Sequence, residues 1–586
     1  MAQIHISKPT PLRIGSSGPP TGDGADRSVP AADGATVSAV LAALDDGDLE
    51  GSARIARDAL ASGVEDPVLL CVLAMALQAA DQLQEALPYL HRAMALRPMD
   101  VSIANALARC LLALERHREA LTVLETALPV EPRHAETHAN KGQALERLGQ
   151  LASAERSYLA ALELQPDQVV AKAGMASLCN HYGAHTEARD HARAALNAAP
   201  DYAPAAVALA VAELADGSPA AAEARIRQLI AALRPDPLLA SYLGDALDGQ
   251  GRTEEAFQAW SHSGEALRRA HADRFRSEGV LAAAERAARV LERLPANGWP
   301  GNEGVRTTSE GGNTHVFLLG FARSGTSLLG LALAGHEDVE VLDEQEPLID
   351  ALRAFAGMDG LNRLLAASDS ELEVFRKAYW RRVAAAGAKL ERRVFVDKQP
   401  MNSLNLPVIA RLFPGARILF ARRDPRDVVL SCFRRRFLMN RYTYELLSAE
   451  GAARLYAVAM RLANRTLALA SLSALTIGHE DLVEDFEGEM GRICAFLGLG
   501  WSDALETFAD RVRSSAVATP SASQLARGLN SDGVGQWRRY AWQLQPLAPF
   551  LDPWVRRFGY GPLSADRFRR AANKVSAPTP CCLGAP

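Results

Sequence analysis

Small and apolar positions in the first half of the chain recur at a fixed period. Prolines stand at Pro98, Pro132, Pro166, Pro200 and Pro235, spaced 34, 34, 34 and 35 residues apart. Ala74, Ala108, Gly142, Ala176, Ala210 and Gly244 share one register, and Ala86, Ala120, Ala154, Ala188, Ala222 and Ala256 share a second, both running at 34. Helices that cross closely need small side chains at the contact, and a proline ends the second helix of each pair. The pattern predicts a helix–turn–helix unit stacked repeatedly, because an irregular alanine-rich bundle would not hold register through every unit. Helical periodicity continues to about Leu294, and residues 295–312, rich in Gly, Asn, Pro and Ser, read as a linker.

Beyond the linker the period changes. Short apolar runs of strand length, Val316 to Leu319, Val394 to Val396 and Ile418 to Ala421, are each followed by a turn; after the first and third, apolar residues fall at helical spacing. Strands alternating with helices predict an α/β domain with a parallel sheet. The expected fold is an all-α solenoid followed by that α/β domain. A 34-residue helical period is that of tetratricopeptide repeats, and stacked repeats form a concave groove suited to an extended peptide or a partner protein.

The segment HVFLLGFARSGTSLLGLAL, residues 315–333, places a strand, a glycine-bounded loop and a helix start in succession. Backbone N–H groups from Arg323 to Ser327 have no partner within the helix, so the turn is suited to hold an anion. The eight residues GFARSGTS approach the nucleotide-binding pattern GxxxxGK[ST], but Thr326 stands where that pattern needs lysine. Triphosphate chemistry is thereby disfavoured, a smaller phosphoanion is not, and Arg323 brings a fixed charge. Two further strands end in cations: VFVDKQP delivers Lys398, and LFARRDPRDVVLSCF delivers Arg423 ahead of a helix with Asp424 as N-cap, Pro425 at its first position and Ser431 two turns in. Three cations at carboxyl ends of strands suit a ligand with phosphates at both ends.

The ordered series GFARSGTSLL, DKQP, RRDPRDVVLS, HEDLVEDFEGEMGRICAFLGL and SDGVGQWRRY resembles the sulfotransferase superfamily, and within it the tyrosylprotein sulfotransferase-like branch found in bacteria. The resemblance covers roughly residues 313–562. It implies a P-loop-like domain that binds 3′-phosphoadenosine 5′-phosphosulfate (PAPS) as sulfuryl donor without a metal. The loop Arg323, Ser324, Gly325, Thr326 and Ser327 would hold the 5′-phosphosulfate. Arg423 and Ser431 would hold the 3′-phosphate, with Arg527 a weaker candidate for it. Sulfuryl transfer develops negative charge on the leaving phosphate oxygen, which Lys398, Arg323 and the loop amides could meet. A carboxylate can take the acceptor's proton, and of Asp343, Glu344 and Glu346 the family pattern points to Glu344; a solvated acidic loop is the alternative. The family commonly reads YEDL where this chain has His479, an aromatic position often near the adenine. Its tyrosylprotein members have arginine in the place of Glu346, a position linked to acceptor recognition. Trp537 could cover the nucleotide or belong to the core.

The implied reaction is sulfation of a hydroxyl, with tyrosine of a protein or peptide held by the repeat groove as the leading acceptor. A glycan or small-molecule hydroxyl is the rival, and an inactive transferase domain on a protein-binding scaffold is the third reading. At 586 residues the chain exceeds single-domain size, and a net charge of −5 offers no argument for nucleic acid. The arginine run 434–436 reads as a solvated or phosphate-facing helix edge. Seven cysteines are scattered, odd in number and without zinc spacing, so they are expected to be reduced, and no metal site is expected. With no apolar signal core and no membrane span in the sequence, a cytoplasmic protein is expected. The expected domains are a disordered 1–34, repeats over 35–294, the transferase over 313–562 and a disordered tail over 563–586, where Cys581 and Cys582 lie too far from the terminus for a prenylation box.

Overall fold

A computed structural model of the chain describes residues 34–232, 236–275, 279–300, 314–514 and 525–561. The expected disordered N-terminus (but for Gly34) and tail, most of the linker, Pro235, Cys581 and Cys582 lie outside the described residues. The chain divides into two compact units: residues 1–270 with 509–528, and residues 271–508 with 529–586.

The first unit is helical pairs throughout its described repeat region. Successive pairs run from Pro67–Ala79 with Leu83–Leu96 to Pro237–Gly249 with Thr253–His271. The register residues Ala74, Ala86, Ala108, Ala120, Ala154, Ala176, Ala188, Ala210, Ala222 and Ala256 are all fully buried, because each sits where two helix backbones approach. A further pair, Gly34–Asp45 with Leu49–Ala61, precedes them. It keeps the same register with Val40 and Ser52, both fully buried, and Ser52 donates to the carbonyl of Val40 at 2.9 Å. Glycines at two of these crossings are a steric necessity. A Cβ on Gly142 would fall 2.6 Å from the ring of Tyr158, and one on Gly174 would collide with the same ring. Tyr158 thus lies in a notch cut by two helices, its hydroxyl donating to Glu146 at 2.7 Å.

The second unit is built on a five-stranded parallel sheet: β1 (Thr314–Leu319), β2 (Val339–Asp343), β3 (Val394–Lys398), β4 (Arg417–Arg422) and β5 (Ser473–Gly478), in the order β2-β3-β1-β4-β5. β1 and β3 are buried on both faces, which is why they read as unbroken apolar runs. Chain order reverses on either side of β1, so its carboxyl end is a topological switch point and opens a crevice there. Helix Ala449–Ala470 buries Leu455, Tyr456, Val458, Met460 and Leu462.

Helix Val280–Arg293 packs on Ala449–Ala470 with Ala284, Ala288 and Leu291 buried. Arg461 pairs with Glu292 at 2.7 Å, Arg454 with Glu285 at 3.3 Å, and Arg465 donates to the carbonyls of Leu291 and Leu294. Helix Val280–Arg293 falls in the compact unit 271–508 together with the sheet. The periodicity of 280–293 is that of a helix whose apolar face belongs to the second unit. Among the described residues no helix is long and apolar enough to cross a membrane.

Candidate active site

The loop after β1 turns through left-handed conformations at Arg323 (φ 69°) and Gly325 (φ 98°) and leads into helix Thr326–Leu333. Gly325 is that helix's N-cap and offers no side-chain cap, and the positive end of the helix lies at the carboxyl end of β1. A side chain could not take its place. A Cβ there would fall 2.9 Å from Nδ1 of His479, at the head of helix His479–Glu484. Ser324 and Thr326 are buried in the turn and Ser327 is half-buried.

Arg423 leaves the end of β4 buried, donates to the carbonyl of Arg323 at 3.0 Å and to the carbonyl of Gly533, and keeps a buried Nε without a partner. Arg323 in turn donates to Oγ of Ser431 at 3.0 Å, from helix Pro425–Phe433. Arg323, Arg423 and Ser431, far apart in sequence, are thus joined through Arg323. Burial and the like charges of Arg435, Arg423 and Arg434 push the Arg323 guanidinium well below its ordinary range. Burial also lowers Arg423. This excess of positive charge in a place partly closed to water is relieved by an anion. His479 is held neutral, depressed to about 3 by burial and by Arg423 and Arg323. The arginine run is thus no solvated edge: Arg434 and Arg435 are half-buried and bear on the loop.

A second cluster forms where β2 and β3 end together. Lys398 is almost completely buried and pairs with Glu344 at 2.7 Å and with Asp343. Glu344 sits in a left-handed conformation (φ 48°), and its N–H donates to the carbonyl of Lys398 at 2.8 Å. The stem of Lys398 lies against Gly330 of the loop's helix, which ties this cluster to the first. Asp343, Glu344 and Glu346 all remain exposed.

Several contributors escaped the sequence reading. Asp427 accepts from the amides of Gly535 (2.6 Å) and Trp537 (2.8 Å) and so holds the strap 533–537 over Arg423. Arg434 donates to Gln536 of the same strap. The closely spaced glycines of SDGVGQW were the available signal. Trp537 is core: it is buried with the Arg426 guanidinium 3.6 Å from its ring centre, and Arg426 is itself held by Asp424. Arg527 is exposed and falls in segment 509–528 of the first unit, where its charge bears on His185. Behind the sheet, Tyr379 donates to Asp397 Oδ2 (2.9 Å) and lies 2.9 Å from Nε2 of His315, all three buried, and Asp397 Oδ1 has no partner.

Residues 315–503 match the model of the Sulfotransferase family, and residues 77–139 and 135–168 match tetratricopeptide repeat models. The chain is 25% identical over 265 residues to protein-tyrosine sulfotransferase 2 of Gallus gallus, covering 42% of this chain and 69% of that protein. It is 22% identical over 289 residues to protein-tyrosine sulfotransferase 1 of Danio rerio, covering 45% and 81%. Among solved structures, the sulfotransferase domain from the Synechococcus PCC 7002 olefin synthase aligns at 19% identity and a TM-score of 0.29, over 48% of this chain and 99% of that one. A tetratricopeptide repeat protein from Parabacteroides merdae ATCC 43184 aligns at 21% and 0.32, over 39% and 91%. The chain carries a sulfotransferase family domain preceded by tetratricopeptide repeats.

Proposed function

We propose that the second unit moves a sulfuryl group from PAPS to an acceptor hydroxyl, with tyrosine of a protein or peptide the leading acceptor. The observation that carries this reading is the joining of Arg323, Arg423 and Ser431 at a P-loop-like turn that has Thr326 in place of lysine. The residues fit such a donor: an unpartnered buried Nε on Arg423, an unpartnered buried Nδ1 on His479 and a glycine at the helix start are what a ligand with two phosphate groups needs. Residues 323–327 would take the phosphosulfate end, and Arg423 with Ser431 the 3′-phosphate.

The donor supplies the sulfuryl group, and the chain's own side chains supply charge and a proton acceptor. Lys398 and Arg323 stabilise charge on the departing phosphate oxygen, and Glu344 accepts the proton of the acceptor hydroxyl. Glu344 is engaged by Lys398 at 2.7 Å. Productive binding therefore redirects Lys398 toward the donor and frees Glu344 for the acceptor. Names of the relatives and a repeat array suited to extended chains favour a protein acceptor. Exposed Glu346, opposite in charge to the arginine of the tyrosylprotein pattern, favours the second reading, a glycan or small-molecule hydroxyl.

Calorimetry with 3′-phosphoadenosine 5′-phosphate (PAP), set beside ATP with magnesium, tests the donor. Preference for ATP overturns the reading. Host lysate incubated with sulfur-labelled PAPS, then fractionated into protein, carbohydrate and small molecules, tests the acceptor.

A further inference from the structure

The side chain of His479, counted above among the features that fit the donor, also has a protonation state that an anion beside it would change. Its buried Nδ1 has no hydrogen-bond partner, yet it lies beside Gly325, the N-cap of helix Thr326–Leu333, 2.9 Å from where a Cβ there would fall. Each element around it contributes charged groups. The loop contributes Arg323; the segment after β4 contributes Arg423, and Asp424, whose carboxylate is taken by Arg426. From its own helix come Glu480, which accepts from the Asp424 amide (2.9 Å) and the Tyr560 hydroxyl (2.7 Å), and Asp481, which pairs with Arg422 at 3.4 Å. Helix Pro425–Phe433 contributes Asp427, already bonded to two amides of the strap, and Arg434 and Arg435 follow it. The carboxylates are engaged elsewhere, so the charges that press on the imidazole are the cations Arg423 and Arg323.

We infer that His479 is an anion-contacting residue of the cradle that takes up a proton as a phosphate-bearing ligand enters, so that ligand binding and protonation are coupled. The inference rests on the donor reading above. A neutral imidazole can donate from Nδ1 in one tautomer, and a protonated one donates from both nitrogens. In the free protein, repulsion and burial hold the ring neutral, depressed to about 3. A phosphate anion in the same place reverses the sign of the local field and stabilises the charged ring, so the bound-state pKa rises. By linkage, affinity then increases as pH falls toward the bound-state value. A phenol at this position, as in the YEDL that the family commonly reads, has no such proton to gain.

The test is calorimetry of the full chain with PAP at about pH 5.5, 6.5 and 7.5, the span in which a histidine ordinarily titrates. Each titration is run in two buffers of different ionisation enthalpy, for the native protein, His479→Gln and His479→Tyr. Free PAP titrates identically in all three, and the ring resonances below tell a proton on His479 from one on the bound phosphate. The native protein is expected to take up more protons than either variant, most at the lowest pH, with an affinity advantage growing by up to about tenfold per pH unit lowered. Histidine-selective NMR of the native protein should move the His479 ring resonances toward the imidazolium position on adding PAP, a readout that needs no variant. Equal proton counts in proteins that all bind PAP, with unmoved resonances, overturn the inference and leave the donor reading intact. No binding of PAP by the native protein overturns both.

Discussion

The guanidinium of Arg423 donates to the main-chain carbonyl of Arg323 at 3.0 Å, joining two turns 100 residues apart in the chain. One side chain therefore shapes the first loop and supplies charge to the second, and its removal should act on the free protein as well as the complex. Arg423→Ala is expected to weaken PAP binding, whereas Lys398→Ala should chiefly lower turnover, by about 10²- to 10³-fold. Calorimetry for affinity and saturation kinetics for kcat separate the two. Equal losses of affinity with turnover intact would contradict both roles.

Gly325 has φ 98° and faces His479 without room for a methyl group. Gly325→Ala should cost about 1–3 kcal/mol of stability, since left-handed strain and the collision act together. It should also weaken PAP binding, because the amides that meet the anion move. Thermal melts with and without PAP check both, and an unchanged ligand-induced shift would mean that the helix start is not the anion site.

Leu291 is fully buried beneath helix Ala449–Ala470. Leu291→Ala should cost about 2–5 kcal/mol, and the loss should fall on the melting transition that PAP stabilises. Were 280–293 the last helix of the repeats, the ligand-responsive transition would stay where it is.

Asp397 and His315 are both buried on either side of Tyr379, with Asp397 raised to about 7 and His315 lowered to about 3 by burial. Between about pH 4 and 6.5 the unfolded chain holds a charged His and an ionised Asp, while the folded chain holds both neutral. The two states then bind the same number of protons, so the pair adds no slope to stability in that window. Asp397→Asn removes the folded-state proton and leaves the depressed His315, for which the unfolded state binds more. Relative to the native protein, stability of the variant should rise with pH across the window by up to about 1.4 kcal/mol per pH unit. Urea unfolding at several pH values measures the slopes, and parallel slopes would show Asp397 ionised in the fold.

Much of this arrangement was legible because it rests on local rules. Val316–Leu319 and Ile418–Ala421 announce central strands because both their faces are buried, and the 34-residue register survives because close helix crossings tolerate only small side chains. β2 and β5 gave weaker signals: as edge strands they carry residues such as Glu340 and Thr476 and lack an unbroken apolar run. The first helical pair hid behind Val40, which keeps the register but is not small. The packing of helix 280–293 on helix 449–470 was not legible, because periodicity reports which face is apolar, never which partner covers it. The pairing of Asp427 with the strap, and of Lys398 with Glu344, depends on contacts between distant segments that no local pattern encodes.

Tyr158 occupies a notch formed by Gly142 and Gly174, which belong to two successive repeats. In a stack whose energy is a sum over neighbours, the coupling between adjacent units sets whether the array melts as one block or in pieces. A single aromatic ring seated in both units acts as a rivet. Its loss would leave a fault line in mid-array, with the repeats before and after it free to open at different temperatures and the groove losing its continuity before either half unfolds.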